Sequence, residues 1–264
     1  MASSVLTIVF NNIYTLILGR LYPIKQVGFY TQAYKVSETS NFTFLSIFTT
    51  TYNLFAQIHD QKERLVRILN TIQERAALIV VPITTLLIVT GHPLFYTLFG
   101  EKWLPSVPYF QLICLANLLI PVYQINIHAL NAIGKSNVSF GIEFGKRGLI
   151  LASILVGIKW SILGLLAGYA VSCTLAWLIS CTEIKRRLQI SLWLQLKQVI
   201  PALLISAVLG IFTYWVASYV TNPYLQLGTQ VGVFLGSYAL IIRLIFPTLW
   251  QQAFEFIGKF FRKQ

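Results

Sequence analysis

Three ionisable side chains stand close together in an otherwise apolar stretch. They are Glu143, Lys146 and Arg147, within GIEFGKRG at residues 141–148. The acid lies three residues before one base and four before the other. On a helix those positions share a face, so the carboxylate can pair with a base. A charged cluster inside a membrane span is costly, and it usually faces a cavity or a pathway. Two adjacent bases suit a multiply charged anion. The alternative is a helix that starts later, with both bases snorkelling at the membrane surface. Gly141, Gly145 and Gly148 permit close helix approach, and the GxxxG spacing of the first two also fits plain helix packing.

A second constellation is polar and uncharged. Asn117, Pro121, Gln124, His128 and Asn131 follow one another at spacings of four, three, four and three. That spacing lines one helical face. Such a stripe can form a hydrogen-bonding wall for a polar substrate such as a sugar. It can also glue neighbouring helices together. Pro121 is expected to kink the helix, which favours the wall. Asn11 and Asn12 interrupt the first apolar segment and read as a further polar contribution to a bundle interior or a wet cavity.

Catalytic patterns find little support. The chain has no Ser-His-Asp arrangement, no paired carboxylates, no metal-ligand spacing and no Walker A loop. No metal and no cofactor is expected. His59 and His92 sit at span ends and read as interface residues. Cys114, Cys173 and Cys181 all lie in apolar stretches, without CxxC, and read as small buried side chains.

The elements that carry these residues are transmembrane helices. Of 264 residues, 56% are hydrophobic and 11% charged, against about 25% charged in a soluble domain. The mean hydropathy is +0.70. The fold class is therefore all-α, a polytopic helix bundle. A bilayer core takes about 20 apolar residues per helix. Eight segments meet the pattern, at residues 4–18, 39–58, 76–98, 107–128, 140–158, 161–181, 199–220 and 225–246. The first reads as a retained helix rather than a cleaved leader, because no basic region precedes it. The second is rich in Ser and Thr and suits a bundle interior. Residues 59–75 and 185–198 each show one apolar face and are expected as amphipathic helices on the membrane surface. The domain organisation is then six spans over 1–182, a cytoplasmic amphipathic connector at 183–198, two further spans over 199–246, and a basic cytoplasmic tail at 247–264.

The net charge of +12 lies in short runs between apolar segments. It fits anionic lipid headgroups and not a nucleic-acid face. Alternating spans place fourteen basic residues on one side and five on the other, with Arg243 inside the last span. The excess of Lys and Arg marks the cytoplasmic side, so both termini are expected there.

Three short segments then give the chain a family likeness. GFYTQAYK at residues 28–35 resembles the GYYsrAyk element of the polysaccharide flippases of the multidrug/oligosaccharidyl-lipid/polysaccharide exporter superfamily. FGEKWLP at 99–105 is similar to that family's hairpin before the next span, and NAIGKS at 131–136 to its lxalGrs. Their order and spacing over roughly residues 10–180 match the Wzx/colanic-acid exporter branch. The resemblance implies flipping of undecaprenyl-pyrophosphate-linked oligosaccharide across the bacterial inner membrane, for surface polysaccharide such as lipopolysaccharide. It implies a fold of two lobes, of which this chain would be the C-terminal one. The first lobe would be missing, so the chain could be a fragment that needs a first-lobe chain or a homodimer partner. The chain also lacks the proline that the family often carries near the end of the second span, where it reads NLFAQ at 53–57. Lys146 and Arg147 would bind the pyrophosphate, and Glu143 would be their charge partner or a proton-coupling group. Asn117, Gln124, His128, Asn131, Asn11 and Asn12 would meet the sugars. The rival readings are a membrane-bound polymerase or ligase of the same pathway, disfavoured by the short loops on the less basic side, and a truncated, non-transporting membrane subunit.

The charge asymmetry predicts a labelling pattern in a variant without the three native cysteines. In intact cells an impermeant thiol reagent should label Asn222→Cys and spare Lys62→Cys and Arg186→Cys. The reverse pattern would overturn the orientation.

Overall fold

The structure is a computed structural model that describes residues 17–58, 60–157 and 161–247, without the side chains of residues 39–50 and 156–157. Every regular element among the described residues is helical. Residues 17–21 are helical and lead through Pro23 into α1 (Ile24–Gln57). There follow α2 (Lys62–Phe99), a 3-10 helix (Glu101–Ser106), α3 (Val107–Asn117), α4 (Ile120–Ala132) and α5 (Ser136–Gly157). The chain continues with α6 (Ile162–Leu188), α7 (Leu192–Ala217) and α8 (Pro223–Ile245). The second to eighth expected segments fall largely within these helices. The first lies almost wholly outside the described residues, as does the C-terminal tail.

Among the described residues, five stretches are long and apolar enough to cross a membrane: Lys62–Phe99, Glu101–Ala132, Ile162–Leu188, Leu192–Ala217 and Pro223–Ile245. Two expected spans differ from these. α5 is long enough, but Glu143, Lys146 and Arg147 all fall within its 22 residues. α1 runs for 34 residues and is diluted by Ser, Thr and Asn.

The amphipathic helix expected at 59–75 is not separate. It is the first part of α2, which continues without a break for 38 residues. Its apolar face turns into the protein: Leu65 and Leu69 are fully buried, and Val66, Ile68 and Ile72 pack against them. A stripe of that kind cannot be told from a membrane-surface stripe by periodicity, because protein and lipid both accept it. The stretch at 185–198 is likewise divided between the end of α6 and the start of α7, with only residues 189–191 between them.

The expected kink in the fourth span is a break. Pro121 has no N–H to offer the preceding turn, and it occupies the first turn of a new helix, α4, after residues 118–119. The turn from α4 to α5 is closed by Gly134 at φ 73. The Lys135 amide donates to the Leu130 carbonyl at 2.9 Å, and the Gly134 amide to Asn131 at 3.1 Å. A positive φ with that pair of bonds is the glycine-terminated helix end, which accounts for the glycine in NAIGKS.

Two apolar cores stack along the bundle. One gathers Leu65, Leu69, Val81, Tyr123, Leu130, Trp177, Ile184 and Val199. The other gathers Leu18, Tyr30, Phe95, Phe110, Ile113, Ile154 and Leu165. Helix α4 packs against α1, α2, α5 and α6, whereas α5 leans chiefly on α6. The α5–α6 contact is close: a Cβ on Gly168 would lie 2.7 Å from the Ser153 Cβ. Around Gly145 a Cβ would meet nothing within 4 Å. Gly168→Ala should therefore lower thermal stability in detergent by about 1–3 kcal/mol. Gly145→Ala should stay within about 0.5 kcal/mol of the parent. Equal losses would refute this account of the α5–α6 seam.

Candidate functional site

The charged cluster sits between the two cores. On α5, Ile142 belongs to one core and Ile150 packs on the other, with Glu143, Lys146 and Arg147 between. On α6, Leu166 and Ala176 belong to different cores, with Tyr169 and Cys173 between. Asn117 lies between Cys114 and Leu118 in the same way. Because α5 starts at Ser136, Lys146 lies ten residues in, about 15 Å along the helix. That is mid-helix, and both bases are half-buried.

One side chain that the sequence pattern did not single out organises this level. The Tyr123 hydroxyl, on α4, donates to Glu143 Oε1 at 2.6 Å. The Lys146 Nζ lies 4.7 Å from the centre of the Tyr123 ring, within the range of a cation–π contact. Arg147 is near enough to act on Tyr123 through its charge. The i,i+3 and i,i+4 geometry on α5 thus meets a third party, on a neighbouring helix. Beside them, the Tyr169 hydroxyl donates to Asn117 Oδ1 at 3.5 Å. Cys173 lies within the fields of Lys146 and Glu143. The result is a polar level with members on α3, α4, α5 and α6. Its chemistry is cations, amide and phenol, suited to an anion with hydroxyls nearby.

The uncharged stripe divides. Asn117 joins the set just described. Gln124, His128 and Asn131 are half-buried further along α4, toward the basic end of the bundle. The His128 ring meets Tyr52 of α1 edge-on, with centroids 5.7 Å apart. Pro121 is buried at the helix break. Asn11 and Asn12 lie outside the described residues.

Helix-gluing polar residues also exist, on a different face of α4. Asn126 is fully buried; it accepts from Gln73 Nε2 at 2.5 Å and donates to Ser180 Oγ at 3.0 Å. Gln195 Nε2 donates to the Cys181 carbonyl at 3.1 Å, and Gln198 Nε2 to Asn70 Oδ1 at 2.8 Å. These amides tie α2, α4, α6 and α7 together. A signal for Gln73 was present: it interrupts an apolar stripe running through Leu65, Leu69, Ala76, Ala77 and Val80. Asn126 carries no such mark.

A shallow surface depression lies at the start of α2, lined by Gln61, Lys62, Glu63, Arg64 and Arg67. Three buried cysteines and no cluster of metal-ligating side chains occur among the described residues.

A helical bundle with a charged, phenol-lined level between two apolar cores is the architecture that comparison with known proteins must explain. A family model described as "Polysaccharide biosynthesis protein" matches residues 1–108. The "Lipopolysaccharide biosynthesis protein WzxC" of Escherichia coli (strain K12) is 27% identical over 220 residues, covering 80% of this chain and 45% of that protein. The solved structure of "Lipid II flippase MurJ, inward closed conformation" superposes with a TM-score of 0.63 at 13% identity, covering 84% of this chain and 48% of that one. This last likeness is one of fold. The first two support kinship with polysaccharide biosynthesis proteins, and the third a shared fold. The chain spans about half the length of the relatives it matches.

The Asn126 network generates a stability test. Asn126→Leu strands the Gln73 amide and the Ser180 hydroxyl, and should cost about 1–3 kcal/mol in detergent unfolding. Gln73→Leu combined with Asn126→Leu should cost clearly less than the sum of the two single changes, because they share one bond. Strict additivity would show that the pair does not couple.

Proposed function

We propose that this chain forms one lobe of a membrane exporter that flips an undecaprenyl-pyrophosphate-linked oligosaccharide across the bacterial inner membrane, a transporter and not an enzyme. The observation that carries the reading is the mid-helix position of Lys146 and Arg147 beside a phenol and amide lining. Ionised side chains held between apolar cores are costly, and they usually face a pathway that a charged substrate uses. A pyrophosphate joined to an isoprenoid tail and a sugar chain supplies the anion, the apolar body and the hydroxyls in one molecule. The likeness to a lipopolysaccharide biosynthesis protein and, in fold, to a lipid II flippase supports the same substrate class.

Lys146 and Arg147 bind the pyrophosphate from the cytoplasmic side, and Glu143 is their charge partner and the candidate coupling group. Asn117, Gln124, His128 and Asn131 meet the sugars, joined by Asn11 and Asn12. Both termini face the cytoplasm, as the basic residues imply. Alternating access moves one lobe against another around a shared site. Export therefore needs the other lobe, whichever polypeptide or second copy carries it.

The test is binding of the lipid-linked oligosaccharide to the purified chain in nanodiscs. Arg147→Ala should weaken it about tenfold to a hundredfold, the scale of one charge-assisted contact of about 1.5–3 kcal/mol. Lys259→Ala, in the basic tail, should leave it within twofold, and Glu143→Gln should leave it intact or tighter. Equal binding by Arg147→Ala and the parent would return the cluster to a surface-snorkelling role.

A further inference from the structure

We propose that Tyr123 is a positioning residue that holds the Glu143 carboxylate and the Lys146 ammonium at separate places on one side chain, so that an isoprenoid pyrophosphate can use the lysine. The inference rests on the proposed pyrophosphate site and names how it is held ready.

The geometric problem lies on α5 itself. A carboxylate three residues before a lysine and four before an arginine folds readily onto both. In a half-buried setting that internal pair competes directly with an incoming anion, and a loose carboxylate repels it. Tyr123 addresses both halves of the problem. Its hydroxyl takes Glu143 Oε1 at 2.6 Å, and its ring lies 4.7 Å from the Lys146 ammonium. One side chain therefore touches acid and base at different places, its polar edge and its face. The hydroxyl directs the carboxylate toward α4, and the ring attracts the ammonium without offering it an anionic partner.

Tyr123 is also fixed more firmly than the groups it holds. It is 2% exposed, and α4 is packed on four other helices. α5 leans chiefly on α6, and Gly141, Gly145 and Gly148 face open space. A buried phenol on the central helix thus meets both an acid and a base of α5. The bond lies four residues past the α3–α4 break, in the first turns of α4. A shift of α4 relative to α5 would therefore alter Glu143 first.

The experiment uses the full chain purified in detergent, with farnesyl pyrophosphate as probe and farnesol as control, read by titration calorimetry. Tyr123→Phe keeps the ring and removes the hydroxyl. It should weaken pyrophosphate binding about fivefold to tenfold, less than the loss of a direct charged contact because the hydroxyl acts through Glu143. Adding Glu143→Gln should restore affinity to within about twofold of Glu143→Gln alone, because the neutral amide no longer competes for the bases. A merely structural tyrosine would not be rescued by changing its partner. Unchanged binding by Tyr123→Phe, or a loss that Glu143→Gln does not relieve, overturns the proposal. Arg147→Ala separates the layers. If it weakens binding while Tyr123→Phe does not, only the positioning role fails. If neither matters, the pyrophosphate site fails and the positioning role with it.

Discussion

A buried polar group in hydrocarbon has no water to fall back on, so its partner must come from the protein. This constraint shapes the structure more than any apolar contact does. Lipid is as apolar as leucine, and apolar burial alone gives one helix little reason to prefer another. Polar groups do give a reason. Asn126 reaches Gln73 and Ser180 on two neighbouring helices. Tyr123 reaches Glu143 on a third, and Tyr52 of α1 meets His128. All three of these α4 residues lie within six positions, and each faces a different neighbour. Helix α4 is central because it satisfies its neighbours' polar groups as well as filling space between them.

The same rule separates a structural level from a level able to bind. The Gln73–Asn126–Ser180 set is fully buried and largely spent on its own members. The Tyr123–Glu143–Lys146 set lies between the two cores, with half-buried charges and with Tyr169 and Asn117 beside it. That amide and hydroxyl network carries no formal charge and gives an anion little to bind, although Gln73 Oε1 is left without a partner. A level that carries ionised side chains offers an anion direct charge-assisted contacts that the amide network does not.

Much of this was readable from residue order, and the exceptions share a cause. The segments at 76–98, 161–181, 199–220 and 225–246 fall largely within long apolar helices, because about 20 apolar residues have few other uses. The charged cluster was visible for the same reason, as an exception within such a run. Periodicity misled at residues 59–75. Leu65 and Leu69 make the stripe expected for a membrane surface, yet they are buried against other helices. A stripe reports that something apolar covers it and does not say what. Tyr123 escaped notice because an aromatic residue in an apolar run looks like core, which by burial it is. Its function lies in one hydroxyl, and the hydroxyl's partner is twenty residues away on a different helix.

The break between α3 and α4 connects these observations. Pro121 ends hydrogen bonding into the preceding turn, so α3 and α4 can change their angle with fewer backbone bonds at stake. Asn117 stands at the end of one piece and Tyr123 near the start of the other. Asn117 is held to α6 through Tyr169, and Tyr123 is held to α5 through Glu143. A change of angle at the break would thus act on two different partners of the same polar level. α5 and α6 are closely packed at Gly168 and Ser153, so those partners would resist moving apart. The strain of bending would then fall on the two hydroxyl contacts, the longer at 3.5 Å and the shorter at 2.6 Å. The longer bond is the weaker by geometry, so the amide side of the site should yield before the charged side.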